Sequence, residues 1–329
     1  MAKKQEKGRI TIANIIAIVG LVLLLVFSFI GHSYLSGGEL GWDIAISVGI
    51  TAFTGFLLWF LIKAKGAENQ LDKWKIIEYS TLVVYIVFAI PASLGGGIMH
   101  FFVVNDNKED IKSYANEDLT KIDNMFNEYT EFESEAISRT GTGLRNATGL
   151  GHVCDASLNQ FMDENRIEHT RESANNFEII QRNSLLGSGF NTLYNEFKQQ
   201  KKEIENAVNS WSIIQIPTKA KLINDLAESA QKELNELSNN AKLPVITYDT
   251  RSRSYTLGEN QTKSFEVEGS VNSFKFKKAL QNVDGFSLTA VLVVLLIHFL
   301  ILFNYIVAYR TSTLGISKHG EEDGGRILK

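Results

Sequence analysis

Residues 10–30 read ITIANIIAIVGLVLLLVFSFI, twenty-one positions without one ionisable side chain. At 1.5 Å rise per residue such a helix is roughly 30 Å long, which matches the hydrocarbon thickness of a bilayer. Lys3, Lys4, Lys7 and Arg9 precede it, in the manner of a secretory signal. The apolar stretch is longer than a signal core, however, no A-x-A site follows, and further apolar runs come after it, so residues 10–31 read as an uncleaved first span.

Three more runs of this kind lie outward from it. Residues 42–62 carry Trp42 and Trp59 near their two ends, where amphipathic rings favour the headgroup level. Residues 76–104 are longer than one crossing needs, and Pro91, Gly95, Gly96 and Gly97 interrupt them. A kink or break is expected there, because proline removes a helical N–H and crowds the preceding turn. The fourth run, FSLTAVLVVLLIHFLILFNYIVAY, occupies residues 286–309 and gives a span at 285–309. The expected fold is therefore a mainly α membrane protein with four transmembrane helices, three before one large polar domain and one after it. Bulk composition, 44% hydrophobic and 21% charged with net charge -4, hides this by averaging the two parts.

Cation placement gives the expected orientation. Segment 1–9, loop 63–75 (Lys63, Lys65, Lys73, Lys75) and tail 310–329 (Arg310, Lys318, Arg326, Lys329) hold every Lys and Arg outside the large domain, whereas the loop between the first two spans has Glu39, Asp43 and no cation. The positive-inside rule makes those three segments cytoplasmic and residues 105–284 external. An integral plasma membrane protein follows, in a bacterial cell an inner-membrane protein with a periplasmic domain.

The external domain carries 28 acidic against 21 basic residues, a difference of -7. That balance argues against a nucleic-acid partner, since phosphate binding needs clustered cations. Cys154 is the only cysteine, so no internal disulfide can staple the domain. Helical spacing recurs in Ile111 to Ala136, Leu158 to Ile180, Phe190 to Trp211 and Leu222 to Leu237, with breaks at Gly141–Gly151, Gly187–Gly189 and Pro217. The pattern predicts an antiparallel four-helix bundle over 105–242. Residues 243–284 show short alternating stretches at 245–248, 254–257, 264–268 and 273–276, which predict a small membrane-proximal antiparallel sheet.

Candidate chemistry is sparse. GTGLRNATGLG (Gly141 to Gly151) has the glycines of a phosphate loop but follows no strand and lacks the Lys-Ser/Thr ending, so it reads as an interhelical loop. His152, Cys154 and Asp155 lack the second spaced pair that a metal site needs, and His169 is distant. They read as a helix-start cap with a buried thiol. Glu131, Glu133 and Glu135 read as a solvated helix face. No acid, base and nucleophile set is recognisable, and the segment after residue 309 is short for a signalling module, so neither an enzyme nor a cofactor or metal is expected.

Polar groups inside the spans are the remaining signal. His298 sits mid-span with Asn304 beyond it, and Glu78 and Tyr85 in the third span are candidate partners, because an ionisable group at that depth must be paired or face water. Ser47, Thr51 and Gly55 in the second span, and Ala89, Ser93 and Gly97 in the third, form small-residue faces that allow close helix approach. The expected role is a non-catalytic scaffold or adaptor of an envelope complex, in contact with lipid and with other membrane proteins or further copies of itself. A sensor with a ligand-binding helical domain, and a channel or transporter component built on His298 and Asn304, are the alternatives.

Overall fold

A computed structural model describes residues 12–65 and 71–307. The expectations for residues 1–11, 66–70 and 308–329, including most of the flanking cations, lie outside these described residues. The chain is mostly helical and divides into two compact units: one contains the described residues up to Ile111, Ile213–Thr218 and residues 277–307, the other Lys112–Ser212 and Lys219–Phe276.

The first unit holds the four apolar helices. α1 (Ile12–Ser36) ends in a turn where Gly37 and Gly38 adopt φ of 73° and 91°, values that cost glycine little because it has no Cβ. Ser36 Oγ then accepts hydrogen bonds from the backbone N–H groups of Gly38 and Glu39, at 3.1 and 3.0 Å, which starts α2 (Leu40–Lys65).

The third helical stretch runs as α3 (Leu71–Val84), a π-helical turn Tyr85–Ala89, α4 (Ile90–Ser93), a second π-helical turn Leu94–Ile98 and α5 (Met99–Asp106). Pro91 lies in the first turn of α4. A proline in a helix crowds the carbonyl four residues back, and the wider π turn immediately before α4 relieves that crowding without ending the helix. The interruption expected around Pro91 and the glycine triplet therefore takes the form of two π turns. After the second unit, α12 (Leu288–Val307) completes the set.

These four stretches are long and apolar enough to cross a membrane. Their directions alternate, as three contacts at one end establish. Asn304 Nδ2 near the end of α12 donates to Asn14 Oδ1 near the start of α1. Lys65 at the end of α2 donates to the Tyr305 and Ile306 carbonyls in the last turn of α12. Tyr305 donates to Glu78 Oε1 in α3 at 2.6 Å. Leu24, Leu57, Leu61, Ile98, Val294 and Ile301 form the centre of this unit. The outward faces are apolar too: Val22, Phe56, Val87, Leu292 and Phe299 are all exposed. A surface of that kind is matched to lipid rather than water.

Two helix crossings are glycine contacts. A Cβ on Gly31 of α1 would lie 2.1 Å from the Gly97 carbonyl oxygen, so the two backbones touch. A Cβ on Gly20 would lie 2.9 Å from the backbone nitrogen of Ile301. Such approaches are how helices associate where no hydrophobic effect drives them.

The second unit is built on α6 (Lys108–Ala147), whose forty residues span about 60 Å at helical rise. The expected glycine loop begins later than its sequence suggests, since Gly141 and Gly143 lie inside this helix. A Cβ at Gly143 would meet the Ile246 Cβ at 2.6 Å, so the glycine admits the strand beside it. The second expected helix is divided into α7 (Ala156–Glu164) and α8 (Arg171–Leu186). Arg166 takes φ of 55° between them and Thr170 caps α8 through Ser173 N–H, local turn chemistry that overrides the apolar spacing. α9 (Ser188–Asn209) follows directly after Gly187, and α10 (Ile216–Asn239) places Pro217 in its first turn, where its missing N–H costs nothing. Five helices thus stand where four stripes were read. Their centre is aromatic: Phe126 stacks on Phe197 and Tyr129 on Phe190, with ring centroids 5.0 and 5.2 Å apart.

Of the four expected strands, two pair: β1 (Pro244–Asp249) and β2 (Ser254–Asn260) make an antiparallel hairpin. The stretch at 264–268 does alternate, with Phe265 and Val267 buried, but its partner is a side chain. Asn235 of α10 accepts from Phe265 N–H and donates to the Phe265 carbonyl, both at 2.8 Å, as a neighbouring strand would. The stretch at 273–276 instead enters α11 (Lys275–Asn282), whose first N–H groups, Lys275 and Phe276, both donate to Asp118 Oδ2 of α6.

Candidate intramembrane polar site

His298 of α12 is 1% exposed and has hydrogen-bond partners on both ring nitrogens. Tyr85, in the first π turn, lies 2.8 Å from Nδ1, and Ser93, in α4, lies 3.0 Å from Nε2. Ser93 spends its single hydroxyl hydrogen on the Ala89 carbonyl at 2.7 Å. It must therefore accept from His298 Nε2–H, which leaves Nδ1 to accept from the Tyr85 hydroxyl. The result is a neutral imidazole of one tautomer in a chain that runs from Tyr85 through His298 and Ser93 to a backbone carbonyl. Three polar side chains in an apolar interior satisfy one another, which is the condition for burying them at all.

The π turns position this set. One side chain comes from the first π turn and one from α4 directly behind Pro91, so the irregular backbone aims both at α12. Of the two partners suggested by sequence, Tyr85 meets His298 and Glu78 does not. Glu78, 2% exposed, instead accepts from Tyr305, the residue next to Asn304, which pairs with Asn14. A second polar group thus lies toward the end where Lys65 covers the α12 carbonyls.

At the opposite end His32 Nδ1 donates to the Ser28 carbonyl at 2.7 Å, and Asp43, fully buried, accepts from Ser36 at 3.0 Å. The small residues of α2 have local partners. Ser47 Oγ donates to the Asp43 carbonyl at 2.6 Å, Thr51 Oγ1 to the Ser47 carbonyl at 2.8 Å, and Gly55 faces Leu21 at ordinary contact distance. Ala89 is fully buried in the same helix group. Gly95 has open space around it, whereas Gly97, at φ 136°, carries the contact with α1. Sequence reading missed Gly20, Gly31 and Asn14, because a glycine or one amide in an apolar run gives no sign of what it will meet.

In the second unit the residues flagged for chemistry serve local structure. His152 Nδ1 donates to the Asn146 carbonyl, and Cys154 is buried with its thiol directed at the Ala147 carbonyl, 3.6 Å away. Burial pushes that thiol above its ordinary value, so it is a weak nucleophile. Asp155 Oδ1 accepts from Leu158 N–H and caps α7. Among the described residues no group of three or more His, Cys, Asp or Glu side chains is placed to hold a metal ion.

Glu133 differs from the solvated face expected of it. It is fully buried, and neither carboxyl oxygen has a hydrogen-bond partner. Burial pushes its carboxyl upward; Ser238 on α10 is close enough to temper this, but outside hydrogen-bonding geometry. By contrast Glu135 pairs with Arg139 on the exposed face of the same helix.

No family model, no curated protein and no solved structure matches this chain.

Proposed function

We propose that this protein is a non-catalytic scaffold or adaptor subunit of a multiprotein cell-envelope complex, anchored by its four apolar helices and docking partners through its helical domain. The observation that carries the reading is a group of exposed apolar side chains on the second unit. Leu150 and Val153 follow the end of α6, and Ile179 and Ile180 lie on α8, all well exposed. The ion pair between Arg145 and Glu178 joins α6 and α8 close in sequence to both pairs of residues. Exposed apolar side chains that form a contiguous patch mark protein contact sites, and these four are the residues we assign to it.

The intramembrane groups support anchoring over transport. His298 has its donor and acceptor both engaged, and the hydrogen-bond chain ends on a backbone carbonyl rather than on a titratable group. The plasma or bacterial inner membrane, cytoplasmic termini and an external second unit complete the proposal. The alternating helix directions support it, since they bring Lys63 and Lys65 to the same end of the set as the start of α1 and the end of α12.

The test is affinity purification of the full chain in a gentle detergent. Fixed stoichiometric companions are expected, and Leu150→Asp combined with Val153→Asp should release them without changing helix content. A chain that emerges alone and monodisperse from its native membrane would overturn the proposal.

A further inference from the structure

An apolar groove of about 450 Å³ runs between α1 and α2 at the end that carries the Gly37–Gly38 turn. Leu25, Phe29 and Ile30 of α1 face Ile44 and Val48 of α2 across it, and Ile214 reaches its mouth. No polar atom faces it; even Ser47, in its wall, spends its hydroxyl on the Asp43 carbonyl. Ile214 comes from the short segment Ile213–Thr218, which joins this unit from a distant part of the chain. Tyr34, 1% exposed, holds that segment by donating to the Ile213 carbonyl at 3.0 Å, and Ile214 is left 74% exposed beside the groove.

We infer that this groove holds one acyl chain of a bilayer phospholipid as a retained structural lipid. The inference rests on the reading that these helices span a membrane. Two features select an acyl chain over other occupants. The walls offer no hydrogen-bonding group, which excludes a headgroup or an extended peptide, whose backbone must be satisfied. The volume is small for a helix, since three turns of a cylinder about 10 Å across occupy roughly 1,200 Å³. A flexible hydrocarbon chain fills a narrow groove without either requirement. Ile214 then lies against the bound chain as a lid side chain, fixed through its neighbour by Tyr34.

The test uses the full chain in nanodiscs of phosphatidylcholine doped with a phosphatidylcholine that carries a diazirine midway along one acyl chain. After photolysis, peptide mapping should find labelling at residues 25–30 and 44–48 severalfold above that on the outward α12 face, Leu292 to Phe299. Val48→Trp, which fills the groove, should abolish the excess and leave α12 labelling unchanged. Ile214→Ala, which opens the mouth without adding bulk, should reduce the excess and keeps the test informative should the tryptophan variant fold poorly. Equal labelling of groove and α12 face, or an excess that survives both substitutions, would overturn the inference. So would an intersubunit disulfide at Val48→Cys, which would put a second copy in the groove. Absence of label from every apolar helix would instead contradict the membrane reading itself.

Discussion

The Tyr85 hydroxyl donates to His298 Nδ1 at 2.8 Å while the two rings meet edge to face, with centroids 5.4 Å apart and planes at 86°. One contact thus combines a hydrogen bond and an aromatic pair between the third and fourth apolar helices. Removing the hydroxyl in Tyr85→Phe should cost about 0.6 kcal/mol and at most about 1.7, the range measured for such bonds inside membrane proteins. His298→Ala should cost more, because it removes a buried ring, strands the Tyr85 hydroxyl and leaves Ser93 with its Ala89 bond alone. In a double-mutant cycle read by detergent unfolding, the combined loss should fall short of the sum. Strict additivity would show that the hydrogen bond contributes nothing.

The crossing of Gly31 and Gly97 predicts a severe effect from one methyl group. Gly31→Ala places a Cβ 2.1 Å from a backbone oxygen, so the helices must separate. The loss should exceed the 1–3 kcal/mol typical of overpacking, because backbone cannot yield as a side chain does. Gly49→Ala on α2, which meets nothing within 4 Å, is the control and should be silent. Size-exclusion profiles and thermal unfolding in detergent would compare them.

Glu133 gives the helical domain a pH dependence with a definite sign. Its carboxyl is raised above the ordinary 4.5 when folded, so the folded state holds the proton more tightly than the unfolded chain. Stability from this group is full below about pH 4.5 and is lost as the pH rises through the raised folded value. Tyr129, itself pushed up by burial, is the titratable neighbour and stays neutral throughout this window. Glu133→Gln should flatten this part of the profile and raise the melting temperature at pH 8. A profile identical to wild type would show the carboxyl is already compensated.

Asp118 should matter more than its place mid-helix suggests. Its Oδ2 receives the first two N–H groups of α11, and Lys121 lies 3.6 Å from its other oxygen. Asp118→Ala removes an N-cap supplied from another helix, with an expected loss of about 1–2 kcal/mol. Glu135→Ala breaks only an exposed i, i+4 pair with Arg139 and should change stability by no more than about 0.5 kcal/mol. Chemical denaturation of both variants would check the contrast.

The comparison of Glu133 with Glu135 also shows where sequence reading reached its limit. Both sit in one acidic run on one helix, yet rotation about that helix buries the first and exposes the second. The apolar helices were legible because lipid demands an uninterrupted run, and His298 because a polar residue there is conspicuous. Its Tyr85 partner was legible for the same reason. Glu78 could not be assigned by sequence, since choosing between His298 and Tyr305 needs the helix register. Gly20 and Gly31 were invisible, because a missing side chain gains meaning only from what lies opposite. The strand read at 264–268 had genuine alternation, but its hydrogen bonds are supplied by the Asn235 amide. Periodicity reports which residues turn inward and is silent on which group answers the backbone.

In the proposed topology four helices cross a bilayer in alternating directions, with residue 260 on the side opposite residues 70 and 320. It is tested most directly by single cysteines at Asn260, Gln70 and Gly320 in a Cys154→Ser background, probed in intact cells with a membrane-impermeant maleimide. Labelling is expected at 260 alone, with 70 and 320 reacting only after the membrane is permeabilised. Labelling at 70 and 320 in intact cells, with 260 protected, would contradict it.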